Sequence, residues 1–177
     1  MRELMIEEKR ILLNLLEACG GGLPIKAKRF RADFISLKDE IEQLVADGHI
    51  KFEDECYQVS LASMMQLDVE AAIGFRVNAE TIWGALRIHY ESELDAMVPV
   101  AALVEQCELD LPTVRVTLKY MLELSWWNGQ NSNLEKAVEA VAPNEDVLTF
   151  GSFAAYYSHV TALRERSSQA RSLGGRN

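Results

Sequence analysis

The stretch Leu109-Asp-Leu-Pro-Thr-Val-Arg-Val-Thr-Leu-Lys-Tyr-Met-Leu-Glu-Leu124 decides the fold that we expect for this chain. Pro112 stands where helix starts tolerate proline, and the apolar residues after it recur at helical spacing: Val114, Leu118, Met121 and Leu122. A second helical face precedes it at Val100, Leu103, Val104 and Cys107. The sequence therefore predicts a helix, a turn over residues 109–111, and a second helix.

The flanking residues extend this pattern in both directions. Ile82 to Tyr90 has a helical pattern, and Met97-Val98-Pro99 is a short extended segment. The segment that begins Ser125-Trp-Trp-Asn-Gly offers a strand followed by an Asn-Gly turn. The predicted order is helix, short strand, helix, turn, helix and hairpin.

The same order occurs in the N-terminal part of the chain. Met5 to Cys19 predicts a helix that Gly20-Gly21-Gly22 stops, and Leu23-Pro24-Ile25 is again extended. Ala27, Phe30 and Phe34 define a second helix. Ser36 is the predicted N-cap of a third helix, whose stripe is Leu37, Ile41, Leu44 and Val45. A hairpin follows, with His49–Glu53 and Cys56–Ser60 as strands around Asp54-Glu55.

The apolar stripes of the two third helices align at one constant offset. The aligned pairs are Leu37 with Val114, Ile41 with Leu118, Leu44 with Met121, and Val45 with Leu122. This agreement, together with the shared order of elements, predicts an internal duplication.

Over about residues 3–60 and 78–130 the chain resembles tandem winged-helix proteins, on the order of elements and on the Leu109–Leu124 segment. The resemblance implies a mainly α fold with small β-hairpin wings, made of two winged-helix domains. Winged-helix domains most often place the third helix in the major groove of DNA. Tandem acidic examples, which resemble accessory subunits of bacterial chromosome-condensing complexes or of membrane-sorting complexes, bind proteins instead.

We expect four segments. Residues 1–60 form the first winged-helix domain, and 61–77 form a bridging helix or linker. Residues 78–166 form the second winged-helix domain with a C-terminal helix at about Ser152–Arg166, and 167–177 form a disordered basic tail.

Composition and motifs exclude several classes of function. The 177 residues are 49% hydrophobic and 25% charged, which favours a folded protein over a disordered one. The sequence has neither an apolar run long enough to span a membrane nor a basic start typical of a signal peptide, so we expect a cytoplasmic protein without a membrane partner. Three widely spaced cysteines and three isolated histidines offer no metal site, and no cofactor motif occurs. With no base beside a nucleophile, we predict that the protein is not an enzyme.

The charge pattern gives two sets of candidate nucleic-acid contacts, although the net charge of −9 disfavours broad attraction to phosphate. On the second domain's third helix these are Thr113, Arg115 and Lys119, for which a solvated helix face is the favoured alternative. On the first domain's second helix they are Lys26, Lys28, Arg29 and Arg31. Pairing of that cluster with nearby carboxylates is favoured over phosphate contact.

Other residues favour a protein interface. The outer face of the first domain's third helix carries Asp39 and Glu42, which a phosphate-lined groove would repel. Trp126 and Trp127 are adjacent, so on a strand one of them faces outward, over the domain's own C-terminal segment or at an interface. The C-terminal helix has an apolar and aromatic side that must be covered, by its own domain or by a second copy: Phe153, Tyr156, Tyr157, Val160 and Leu163.

The sequence therefore predicts a non-enzymatic adaptor that binds a protein partner through helix faces and wings, and that forms a homodimer. The alternative is a DNA-binding transcriptional regulator that acts through its second domain.

Overall fold

The computed structural model describes residues 4–18, 24–33, 35–94, 96–124, 128–130 and 138–174. The chain divides into two compact units, Met1–Arg76 and Val77–Asn177, and α5 contributes residues to both. The first unit contains α1 (Ile6–Ala18), β1 (Ile25–Lys26), α2 (Ala27–Asp33), a short 3-10 helix (Ile35–Leu37), α3 (Lys38–Ala46), β2 (Ile50–Glu53), β3 (Cys56–Val59), α4 (Leu61–Gln66) and the start of α5 (Glu70–Ser92).

The second unit contains the rest of α5, β4 (Val98–Pro99), α6 (Val100–Cys107), α7 (Leu111–Leu122), β5 (Asn128–Gln130), β6 (Ala140–Ala142), α8 (Asp146–Thr149) and α9 (Phe153–Gly174). The protein is therefore mainly helical with small antiparallel sheets. Within the described ranges, no helix is long and apolar enough to cross a membrane.

Among the described residues, each unit has one three-stranded antiparallel sheet, and the two strand orders correspond. They are β1-β3-β2 in the first unit and β4-β6-β5 in the second. The hairpin of the first unit pairs Ile50 with Val59 and Glu53 with Cys56, around the turn Asp54-Glu55 as the sequence predicts. In both sheets the two-residue strand before the second helix pairs with the last strand of the hairpin.

The core of the first unit forms where α1 packs against α3 and the sheet. Ile11, Leu12, Leu15 and Leu16 are buried because they share one side of α1. Ile41 and Leu44 are buried on the facing side of α3. Tyr57 of β3 fills the space beside α2, with its ring centroid 6.0 Å from that of Phe30.

Three successive elements of the two units correspond in order. The elements β1, α2 and α3 have as counterparts β4, α6 and α7, and a single offset relates all three pairs of starting positions. The starting positions align Ile41 with Val114, whereas the ends of α3 and α7, at Ala46 and Leu122, lie closer to the predicted alignment of Ile41 with Leu118. The two alignments differ by about one helical turn, so both match the buried faces of α3 and α7, and the predicted alignment stays a prediction.

The second helix of each unit also starts with the same hydrogen bond. Ala27 donates its backbone N–H to the Glu55 carbonyl at 2.8 Å. Val100 donates its own backbone N–H to the Glu139 carbonyl, also at 2.8 Å. In both units the hairpin therefore fixes the start of the second helix.

Two further predictions are corrected. The N-cap of α3 is Leu37, without a side-chain cap bond, and Ser36 lies in the 3-10 helix. Asn128 and Gly129 lie in strand β5, where Gly129 pairs with Val141, and they do not form a turn. Their partner strand, β6, begins only at Ala140, so the pairing joins residues that are distant in the chain.

The basic tail is also different from the prediction. Residues 167–174 continue α9 to Gly174 instead of forming a disordered segment. Helix propagation fixes one residue for each hydrogen bond gained, and this segment has no proline to stop it. The predicted helix stop at Gly20–Gly22 and positions 175–177 lie outside the described part of the chain.

Candidate functional site

The outer face of α3 is exposed and acidic. Asp39, Glu42, Gln43 and Ala46 are exposed because Ile41 and Leu44 turn the opposite face into the core. Glu42 lies 3.5 Å from Lys38 on the same helix, and both side chains are more than half exposed. Such an exposed ion pair contributes little energy, so the carboxylates stay available to a partner.

The corresponding helix α7 shows a different surface, since none of its residues from Thr113 onward is exposed. Asp110 caps the helix by accepting the Thr113 N–H at 2.8 Å, and the Thr113 hydroxyl donates to the same carboxylate at 3.0 Å. Thr113 is therefore engaged in holding the start of the helix.

The two predicted cations of α7 are partly covered. Arg115 donates from Nε to the Val138 carbonyl at 3.3 Å, which links α7 to the segment before β6. Burial lowers the pKa of Lys119 from its ordinary value, because the charged ammonium is disfavoured where water is excluded. The C-terminal end of α7 is also contacted, since Arg164 of α9 donates to the Glu123 carbonyl at 3.0 Å.

The basic cluster of the first unit is exposed. Lys26, Lys28 and Arg29 form no ion pair with the residues that the structure describes, so the pairing that the sequence favoured is not seen for them. Instead, the nearby Glu42 pairs with Lys38. The side chain of Arg31 lies outside the described part of the structure.

The aromatic side of α9 packs within its own unit. Phe153 and Tyr156 are 1% and 2% exposed, and their ring centroids lie 5.9 and 5.0 Å from that of Trp83 on α5. These two residues are therefore core side chains covered by their own unit, which is one of the two alternatives that the sequence left open, and they present no surface to an interface. Tyr157 is half-buried, and burial, followed by the charge of Glu165, raises the pKa of its phenol.

A carboxylate of α5 fixes the start of α9. Glu80 accepts the backbone N–H groups of Phe153 at 2.9 Å and Ala154 at 2.8 Å. Trp83, one turn further along α5, donates from Nε1 to the Phe150 carbonyl at 3.0 Å. Because the first N–H groups of a helix have no partner within the helix, a side chain that accepts two of them anchors its end.

The phenol of Tyr156 is held neutral. Burial and then the nearby Asp146 charge raise the pKa of this phenol to about 12, and the Arg164 charge acts in the opposite direction. An ionised tyrosine would therefore be disfavoured in this folded unit.

The structure brings together one pair of polar residues that sequence analysis missed. His49 Nδ1 lies 2.9 Å from Ser63 Oγ, and both residues are buried. The Ser63 hydroxyl also lies within hydrogen-bond distance of the His49 carbonyl, at 3.2 Å. The sequence contained a signal: a two-residue turn at 54–55 pairs His49 with Ser60, which is the N-cap of α4.

Trp126 and Trp127 lie outside the described residues. Among the residues that are described, no group of three His, Cys, Asp or Glu side chains is placed to hold a metal ion. Comparisons of the chain with family models, with curated proteins and with solved structures found no match.

Proposed function

We propose that this chain is a non-enzymatic adaptor, built from two winged-helix domains in tandem, that binds a protein partner. The winged-helix assignment is supported by the shared element order of the two units and by the matching strand orders β1-β3-β2 and β4-β6-β5. The shared bond at the start of α2 and α6 adds to it.

The observation that carries the adaptor function is the set of side chains that α3 and α7, the third helices of the two units, expose to solvent. A helix that reads DNA must present donors and cations to base edges and phosphates. The exposed face of α3 presents Asp39 and Glu42, and α7 has no exposed residue after Pro112. Both helices are poorly suited to enter a major groove.

The chemistry of α3 favours a partner with a basic surface. Two exposed carboxylates, Asp39 and Glu42, lie about one turn apart on α3, on a chain whose net charge is −9. Complementary charge steers association and selects among partners more than it adds raw affinity. We therefore infer a basic protein surface opposite the α3 face.

The non-enzymatic assignment agrees with the hydrogen bonds around His49. A serine nucleophile needs a base that takes its proton. Here the Ser63 hydroxyl donates to a backbone carbonyl and its oxygen accepts from Ser60 Oγ at 3.4 Å. Ser63 is also only 1% exposed, so its contact with His49 fits a structural role more than that of a nucleophile and its base.

DNA binding is the second candidate, and the exposed cluster of Lys26, Lys28 and Arg29 favours it. Three cations without an ion-pair partner among the described residues could hold a phosphate strand. Contacts of this kind position a protein without reading the sequence, so this surface would support non-specific binding.

A salt series distinguishes the two functions. The full chain is titrated onto a labelled random-sequence duplex, and binding is followed by fluorescence anisotropy between about 50 and about 200 mM salt. The adaptor function predicts no binding at the lowest salt, for the wild type and for the Lys28→Glu, Arg29→Glu variant alike. Wild-type binding that falls steeply with salt and is lost in the variant would favour the DNA-binding function.

A further inference from the structure

A cavity of about 390 Å³ lies within the first unit, beside α1 and the loop between α4 and α5. This volume lies within the roughly 300–1,000 Å³ typical of small-molecule sites. Its walls are partly apolar and partly polar: Leu4, Lys9, Leu13, His49, Ser63, Gln66, Leu67, Asp68 and Val69. The cavity is independent of the α3 face on which the proposed adaptor function rests.

The floor of the cavity is buried and fixed. His49 and Ser63 are 2% and 1% exposed, and the 2.9 Å bond between Nδ1 and Oγ joins the start of the hairpin to α4. Ser60 caps α4 by accepting the Ser63 backbone N–H at 3.2 Å. The polar floor is therefore preformed, and it needs no rearrangement to receive a ligand.

The wall formed by the α4–α5 loop is also held in place. Arg76 donates from Nη1 to the Met64 carbonyl at 3.0 Å and to the Leu67 carbonyl at 2.8 Å. Leu67 in turn donates its backbone N–H to the Ser63 carbonyl at 2.8 Å. The loop therefore keeps the side chains of residues 67–69 at the cavity.

The rim carries two opposite charges. Lys9 and Asp68 are exposed, and neither has an ion-pair partner among the residues that the structure describes. Between this rim and the buried floor, Leu4, Leu13, Leu67 and Val69 contribute aliphatic surface. A ligand that matches the cavity has an aliphatic body and both an anionic and a cationic group.

We propose that this cavity binds a small aliphatic zwitterion, either a free amino acid or a dipeptide. The carboxylate faces Lys9, the ammonium group faces Asp68, and the aliphatic body lies against the leucine and valine side chains.

Four probes test the proposal on the full chain by isothermal titration: L-leucine, L-leucyl-L-leucine, N-acetyl-L-leucine and L-leucinamide. We expect one of the first two to bind, and the tighter of them shows whether the cavity takes an amino acid or a dipeptide. N-acetyl-L-leucine lacks the ammonium group and L-leucinamide lacks the carboxylate, so each should bind about fivefold more weakly, as expected for an exposed ion pair.

Two variants connect each charge of the ligand to its residue. Asp68→Asn should weaken binding of the zwitterion about fivefold and leave the affinity for N-acetyl-L-leucine unchanged. Lys9→Gln should also weaken binding of the zwitterion about fivefold, and it should leave the affinity for L-leucinamide unchanged. Glu70→Gln and Arg10→Gln are matched controls, because these exposed neighbours do not line the cavity. No heat of binding up to about 10 mM of any probe, or equal weakening by the lining and control variants, would overturn the proposal.

Discussion

Glu108 is one of three non-glycine residues with a positive φ among the described residues, and it ends α6 at φ 54°. Glycine is the usual residue at such a helix end, because a Cβ atom is strained in the left-handed region. The Glu108 position therefore stores strain that its side chain does not offset through any hydrogen bond within the described residues.

Replacing this residue should stabilise the second unit. We expect Glu108→Gly to raise the free energy of unfolding by about 0.5–1 kcal/mol, since glycine relieves the strain. The matched control is Glu105→Gly, an exposed position within the last turn of α6, which should lower the free energy of unfolding by up to about 1 kcal/mol. Urea denaturation of both variants measures the difference, and destabilisation by Glu108→Gly would contradict the assigned conformation.

Tyr156 makes the stability of the second unit depend on alkaline pH. Its pKa is raised to about 12 from an ordinary value of 10.0. The neutral phenol is therefore favoured in the folded state, and this stabilisation is complete below pH 10.0 and is lost as the pH rises toward about 12. Tyr156→Phe should flatten the fall in unfolding free energy across this window, relative to wild type. Tyr90→Phe, a half-buried tyrosine on α5, is the control, and equal slopes for wild type and Tyr156→Phe would contradict this prediction.

At the residue scale, the burial of single side chains could be predicted from helical spacing, whereas contacts between distant segments could not. Ile41 and Leu118 are buried as their stripes predict. His49 appeared isolated because Ser63 lies 14 positions away, and only the hairpin register and the start of α4 bring the two together. Phe153 and Tyr156 were correctly predicted to be covered, but the sequence could not show that Trp83 covers them.

At the scale of elements, the attachment of α9 to α5 depends on Glu80. Replacing it by alanine leaves the Phe153 and Ala154 N–H groups without their acceptor. We expect Glu80→Ala to lower the unfolding free energy by about 1–3 kcal/mol, and Glu80→Gln to cost less because one oxygen remains.

Glu91→Ala is the matched control for this prediction on the same helix. It removes only the exposed pair with Arg87, whose atoms lie 3.1 Å apart, and should cost no more than about 0.5 kcal/mol. Thermal and urea unfolding compare the three variants. Equal losses for Glu80→Ala and Glu91→Ala would show that Glu80 does not anchor α9.

The order of elements was predictable from the sequence, and their exact alignment was not. Helical stripes, the proline at the start of α7 and the Asp54-Glu55 turn place the helices and the first hairpin. The same stripes do not distinguish an alignment of Ile41 with Val114 from one with Leu118, because both keep one face of α3 and α7 buried. The prediction of a turn at Asn128-Gly129 is wrong, because both residues pair with the distant strand β6 and this pairing outweighs their local turn preference.

At the scale of the whole molecule, the docking of α9 bears on oligomeric state. The sequence predicted a homodimer because the aromatic side of this helix was expected to need a partner. That side is buried within the second unit. We therefore expect a monomer by light scattering. Truncation after residue 150 should destabilise the second unit because it exposes Trp83, whereas truncation after residue 166 should change stability by no more than about 0.5 kcal/mol. A dimer that the first truncation converts to a stable monomer would contradict this account.

The distribution of charge over the molecule underlies the proposed function. An acidic chain that exposes carboxylates on α3 and covers most of α7 is suited to a basic protein surface more than to a DNA groove. This much could be inferred from the sequence for α3, since its outer face follows directly from its buried stripe. The covering of α7 could not be inferred from the sequence, because it depends on Val138 and Arg164, which lie outside that helix.

The most direct test of the adaptor function places a photocrosslinking amino acid at Ala46, an exposed position on the α3 face, in the full chain expressed in its native cells. We predict a covalent adduct with a protein, absent when the same probe stands at the exposed Ala71 of α5 and lost when Asp39→Lys and Glu42→Lys reverse the charge of α3. An adduct with nucleic acid, a protein adduct that survives the charge reversal, or no adduct above the Ala71 control would contradict the account.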